Sequence, residues 1–309
     1  MSHVVCIGEA LVDMIETDSD KGSVYLPAWG GSVMNVACGV ARLGSPVQFA
    51  GSLSTDPLGS RMKAFITEQG VGLELAADVD IQTTIAMTSF VGAEPRYSFY
   101  GQPRSYALCP PAIAARQQVL QASVVHSGSL GVLEDMTFDA ITEAFEATQG
   151  VITLDPNVRP QMVSDWDTYR ARVGALLRRA NVVKYSIEDI AALYPDSDAD
   201  HIAYATLDQG AAAVIITHAA GGAEVYTASE SERVAIPEGF PVVDTTGGGD
   251  STMAAIIHQI HQSGMPSEHI GWVDYVRNAL VVAALVCSRP GAAIAMPTAK
   301  EVREAGAIL

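Results

Sequence analysis

The sequence predicts an α/β fold, a mostly parallel sheet flanked by helices with a small second sheet set apart from it. Three observations carry that expectation. From about residue 119, apolar strand-like runs alternate with helical patterns, the rhythm of βαβ units. Two β-rich segments, TTIAMTSFV and RYSFYG, are separated by the turn sequence GAEP and read as a hairpin outside that alternation. The stretch PVVDTTGGGDSTMAAIIHQIHQ joins an apolar run to a glycine cluster and then to an amphipathic helix.

Composition bounds what such a fold can serve. With 309 residues, 49% of them hydrophobic and 17% charged, the chain can build one large domain, with or without a smaller one. A net charge of −17 repels a polyanion over most of the surface, which excludes nucleic acid as the expected partner. A small anion held by local backbone dipoles remains compatible with it. Cys6, Cys38, Cys109 and Cys287 form no CxxC pair and read as buried thiols of a reducing compartment. The N-terminal apolar run is cut by Glu9 and Asp13 without a basic leader, and the run at 279–287 is too short for a bilayer. A cytoplasmic protein with no membrane partner is expected.

In chain order, VVCIG reads as a buried first strand, and no GxGxxG follows it, so a dinucleotide fingerprint is missing. Asp13 falls just beyond, where an open parallel sheet puts ligand contacts at strand carboxyl ends; a solvated loop aspartate is the plain alternative. In WGGSVMNVACGVARLG, Gly30 and Gly31 precede a helix that Asn35 opens and Gly44 closes. Paired glycines let a polyhydroxylated ligand approach the backbone, and the Asn35 amide suits vicinal hydroxyls; a simple turn and cap would look the same. The stretch from about 14 to 29 and the hairpin near 83–101 are expected to pair as the small sheet, with Tyr97, Phe99 and Tyr100 on it. Helices are expected around 137–148 and 167–180. Gly247, Gly248 and Gly249 lead into a helix whose first N–H groups can cradle a phosphate, beside Asp250. Here too a tight turn with Asp250 as N-cap fits the same residues. His258 and His261, three apart, share a helix face without an evident carboxylate partner.

GGSVMNVACGVARLG resembles the first signature of the PfkB (ribokinase-like) carbohydrate kinases, and DTTGGGDS resembles the second, usually written DTxGAGD. They stand in the expected order, about two hundred residues apart, and the likeness runs over nearly the full length. It implies a ribokinase-like three-layer fold: one kinase domain over 1–309, with a β lid formed by about 14–29 and 83–104. It also implies ATP and Mg2+, a sugar substrate and a homodimer through the lid. By the resemblance, Asp250 takes the sugar hydroxyl proton and Gly247, Gly248 and Gly249 hold the migrating phosphoryl group. Asp13, Gly30, Gly31, Asn35 and Tyr100 would meet the sugar. Arg159, in LDPNVR, matches the DPNxR run of fructokinase-like members and would approach the phosphate.

KYSIED stands at the NxxE motif, with Ser186 at the nucleotide phosphates and Asp189 and Glu188 organising Mg2+ through water. IITHAAGG resembles TxGxxG: Thr217 and Gly222 match and would line the nucleotide, whereas Ala219 replaces a common glycine. Thr246 and Asn278 complete the nucleotide set, and Asp244 marks a loop that in many relatives holds a monovalent cation such as K+. GEALVDM, FYGQP and DPNVR look most like fructokinases, while GGSVMN departs from their GGAPAN. The alternatives are a 2-keto-3-deoxygluconate, ribose or nucleoside kinase, or a sugar-binding protein without turnover. A sugar acid would call for a free cation, with Arg96 and Arg104 as the candidates.

Overall fold

The computed structural model describes residues 2–20, 22–91 and 94–309. Among the described residues, the strands in the first third of the chain are β1 (Val4–Ile7), β2 (Leu11–Ser19), β3 (Gly22–Gly30), β4 (Val47–Ala50), β5 (Ser52–Ser54), β6 (Ala77–Val79), β7 (Ile85–Val91) and β8 (Glu94–Tyr100). Beyond them come β9 (Val124–Gly128), β10 (Val151–Asp155), β11 (Val182–Ser186), β12 (Ala213–Thr217), β13 (Ala223–Tyr226) and β14 (Ser231–Val234). The main sheet runs β14-β13-β12-β11-β10-β9-β1-β4, parallel except for β13 and β14 at one edge.

Its parallel strands are buried and mostly apolar because both faces are covered, as a parallel sheet requires. Val4 and Cys6 of β1 enter one core while Val5 and Ile7 enter the other, following the two-residue period of a strand. The helices divide cleanly between the two. The first core is closed by α1 (Ser32–Arg42), α2 (Pro57–Glu68), α8 (Gly248–Ser263), α9 (His269–Cys287) and α10 (Ala299–Glu304). The second is closed by α3 (Gln117–Leu120), α4 (Asp135–Ala147), α5 (Trp166–Leu177), α6 (Ile187–Leu193) and α7 (Ala199–Asp208). By length and composition α9 would reach across a bilayer, yet Trp272, Val276 and Leu280 are buried in the first core. Parallel strands align their carboxyl ends on one edge, and Asp155, Ser186 and Thr217 all stand there.

The small sheet, ordered β3-β2-β7-β8, is made of the expected segments. One face sends Val12, Trp29 and Ile85 toward the first core; the other carries Leu11, Ala86 and Phe99 onto Tyr106 and Leu130. Because β2 begins at Leu11, Asp13 belongs to this sheet and not to a loop at the main sheet's edge. Gly92 and Ala93 of the GAEP turn, and the side chains of Arg96 and Tyr97, lie outside the described residues.

The histidine pair on α8 is structural. His258 Nδ1 is 2.7 Å from Ser45 Oγ, and His261 Nδ1 is 2.6 Å from Ser123 Oγ. Burial pushes His258 down to about 4. Among the described residues no group of three or more His, Cys, Asp or Glu is set to hold a metal. All four cysteines are free thiols, and burial pushes Cys38 and Cys109 up to about 12.

Candidate active site

Two helices of one layer point their N-termini at the same carboxylate. Asp250 is the third residue of α8 and only 7% exposed. Its Oδ1 accepts from Ser32 Oγ at 2.7 Å and from Asn157 Nδ2 at 3.2 Å, and its Oδ2 accepts from Asn35 Nδ2 at 2.7 Å. Asn157 also donates to Ser32 Oγ at 2.6 Å, which ties the edge of β10 to the start of α1. Asn35 Oδ1, buried beside Asp250, has no partner among the described residues. A buried acceptor left open in this way is uncommon and suits a ligand donor.

Asp250 is not the N-cap that the sequence allowed. That place falls to Gly247, whose φ of 81° is left-handed and whose Cβ would sit 2.8 Å from Ala292, so glycine is required. The Gly248 N–H turns back to the Thr245 carbonyl at 3.2 Å. The N–H groups of Gly247, Gly249 and Asp250 meet no protein acceptor among the described residues, so the open donors are displaced from the expected 247–249 set toward Asp250. The macrodipole of α8 adds positive potential there.

The start of α1 is held by a residue that the sequence pattern marks only as an interruption. Glu9 is fully buried, and its Oε1 accepts the Ser32 N–H at 2.8 Å, satisfying an open donor of the helix. Burial pushes the Glu9 carboxyl up to about 7 against the pull of its hydrogen bonds. Gly31 precedes it at φ 111°, and a Cβ there would be 2.6 Å from the Glu9 carbonyl. Gly30 makes room for Asp13, whose Oδ2 occupies the space a Cβ would fill. Burial likewise raises Asp13, to about 6; nearby Arg159 pulls the other way and Asp250 adds to the rise.

Other expected contacts are not brought here. Tyr100 pairs with Ile85, which pairs with Val12, so the period of the sheet puts it on the face opposite Asp13, where it is 55% exposed. Phe99, paired with Ala86, is on the Asp13 side. Asn278 ties the C-terminus down, donating to the Ile308 carbonyl at 2.6 Å and to Gln259 Oε1 at 3.1 Å. Gln259 lies nine residues past Asp250 on α8, about 14 Å along the axis, so Asn278 is away from the cradle.

Ser186 and Asp189 are a capping box for α6, and Asp189 also accepts the Val158 N–H at 2.6 Å. Each Asp189 oxygen thus accepts one backbone amide, which fixes its side chain in a structural role; Glu188 beside it is exposed. Asp244 Oδ1 accepts from the Thr246 N–H at 2.9 Å and its hydroxyl at 2.6 Å, and Oδ2 accepts the Gly291 N–H at 2.9 Å. These bonds hold Asp244 below the usual carboxylate range although burial opposes them. Its side chain therefore closes a loop, and a cation there would have to use backbone carbonyls. Thr217 and Gly222 flank the turn after β12, in which Ala219 is forced to φ 47°, the conformation a glycine would take. Arg159 Nη1 is drawn back to Asn157 Oδ1 at 2.6 Å, which also steadies Asn157 at its left-handed φ of 39°.

The family model of pfkB family carbohydrate kinases matches residues 1–299. The chain belongs to this family. A fructokinase from Rhizobium leguminosarum bv. trifolii is 30% identical over 267 residues, covering 85% of this chain and 81% of that one. The structure of a fructokinase with bound ATP from Xylella fastidiosa superposes with a TM-score of 0.88 at 26% identity, covering 98% of this chain and 97% of the other. A Vibrio cholerae fructokinase in a fructose, ADP and calcium ion bound form gives 0.85 at 26% identity and 98% of both chains. The chain is thus a sugar kinase of ribokinase-like fold.

In this pfkB kinase, sequence reasoning missed Glu9, which holds the Ser32 N–H, and Ser32, which donates to Asp250. Ser32 stood inside the quoted GGS run. Glu9 is raised in the folded state from its usual 4.5 to about 7, so the stability it confers is complete below pH 4.5 and is lost as pH rises through 7. Glu9→Gln, which keeps the acceptor for Ser32, therefore gains on the wild type between pH 5 and 8 by up to about 3 kcal/mol in urea unfolding; parallel pH profiles would refute this. Ala219→Gly relieves the left-handed strain and raises the unfolding free energy by about 0.5–1 kcal/mol, read from the urea midpoint.

Proposed function

We propose that this kinase transfers the γ-phosphoryl group of Mg·ATP to a hydroxyl of a neutral hexose, with fructose as the first candidate. The observation that carries it is the convergence of the Ser32 and Asn35 side chains on Asp250, with Asn35 Oδ1 open beside the unpaired amides of α8. A substrate hydroxyl reaches Asp250 by exchanging with the rotatable Ser32 hydroxyl and donating to the carboxylate. As the sugar oxygen–phosphorus bond forms and the bond to the β-phosphate oxygen breaks, ADP leaves with the electron pair and the proton passes to Asp250. A carboxylate is too weak a base to ionise a free alcohol, so proton and phosphoryl transfer proceed together. The amides of Gly247, Gly249 and Asp250 face the charge that develops.

Substrate class is argued from charge. Arg104 is half-buried in an ion pair with Glu134, so this cation is committed and does not serve a sugar carboxylate. Relatives carrying the name fructokinase, and the fructose bound to the Vibrio cholerae enzyme, support the ketohexose. Val242, 74% exposed, together with Val243 and Ile294, offers an apolar surface beside the cradle for a nucleotide base. Mg2+, when bound, neutralises the phosphates, and exposed Glu188 is the carboxylate that fits it through water. A potassium ion would belong at the loop that Asp244 closes onto Gly291. The small sheet serves as a lid that excludes water, with Asp13 and Phe99 on its inner face. Tyr100, exposed on its outer face, suits a homodimer, and the free cysteines suit the cytoplasm.

An ATP-consumption assay over neutral sugars and sugar acids tests the class, with turnover expected for fructose and not for 2-keto-3-deoxygluconate. Asp250→Asn is expected to lower kcat by roughly 10²–10⁴ while the sugar KM stays within about threefold. Wild-type turnover by that variant would remove Asp250 from the mechanism.

A further inference from the structure

Lys184 and Asp155 form a buried ion pair to which proton transfer at Asp250 gives no task. Nζ lies 2.8 Å from Asp155 Oδ2, and the side chains are 3% and 1% exposed. Lys184 shares a strand face with Val182, which packs in the core beneath α8. A Cβ on Gly249 would come within 3.4 Å of Nζ, so the ammonium rests against the second residue of α8, on the protein side of the cradle.

Burial and the helix end oppose a cation there, and the fold gathers carboxylates to keep it charged. The N-terminus of a helix is already positive, and a buried ion pair seldom repays its desolvation. Asp155 is the contact partner, and Asp189 and Asp250 add to its pull on the ammonium; Asp155 Oδ1 takes no hydrogen bond among the described residues, and burial pushes its carboxyl up to about 6 despite Lys184. His126, on β9, is held down to about 3 by burial and by Lys184, so it stays neutral and adds no charge of either sign. An apolar side chain, like those of Val182 and Val183, would cost the sheet less. An anion on the far side of Gly249 would meet that ammonium across one residue of backbone.

We propose that Lys184 is a positioning residue for phosphoryl transfer: its ammonium, fixed by Asp155 behind Gly249, adds to the potential of the α8 amides and steadies the charge on the migrating phosphoryl group. It exchanges no proton and touches neither substrate. This rests on the cradle reading of the same site, whose own failure would show separately as an active Asp250→Asn enzyme.

The test is the double variant Lys184→Met with Asp155→Asn, which removes both charges and leaves neither unpaired. It is expected to melt within a few degrees of the wild type, to keep its sugar KM within about threefold, and to lose about a hundredfold in kcat. It is also expected to lose most of the thermal stabilisation that Mg·ADP with aluminium fluoride and sugar gives the wild type, while stabilisation by Mg·ADP alone is kept. A purely structural pair would move neither number. A kcat within threefold of wild type, or a raised KM at unchanged kcat, overturns the proposal. Should the double variant fail to fold, Lys184→Gln, which keeps a donor to Asp155, is measured in the same two ways: the same losses support the proposal, and wild-type values overturn it.

Discussion

The Asp250 carboxylate is where α1, α8 and the edge of β10 are fastened together. It takes hydrogen bonds from Ser32 and Asn35 in the first turns of α1 and from Asn157 beyond β10, while its own backbone opens α8. Two helix N-termini, each positive, aim at one carboxylate, which lets the helix ends approach each other. Remove the carboxylate and the two positive ends face each other across unfilled donors. The same convergence leaves the surplus donors and the one open acceptor that a sugar and a phosphate can use.

Carboxylates elsewhere in this chain show how unusual that neighbourhood is. Glu301 caps α10 and is held down to about 2 by hydrogen bonds from Thr298; Asp244 is lowered by Thr246 and Gly291. Those groups sit near solvent and stabilise turns. Around the site, burial raises Glu9, Asp13 and Asp155. Acids gathered in the interior repel one another and lack water, and the fold tolerates them where they shape the site. Lys184 and Arg159 are the cations set among them.

Much of the architecture was legible because periodicity is local. The alternation after residue 119, the hairpin near 83–101 and the glycine-to-helix junction each appear where the residue pattern put them. The misplacements share a cause. Asp13 looked like a loop residue because one strand ends a few residues before it, and nothing local says that the next begins at Leu11. Tyr100 and Phe99 are neighbours in sequence, and only the register of β7 and β8 decides which of them turns inward. Ser186 and Asp189 keep the oxygen-bearing residue types of a nucleotide motif, but the same types at the same spacing make a capping box, and the structure shows them engaged in one.

Residue order alone was enough for the layers, the glycines at the helix entry, the family, and Asp250 as the residue to examine, since each rests on short-range pattern or on motif identity. Packing decided what Asp250 touches, that Glu9 closes α1, that Asn278 serves the C-terminus, and that Lys184 stands behind Gly249. Those facts join residues of separate elements, in one case 218 positions apart along the chain, and such distances are set by how the layers pack.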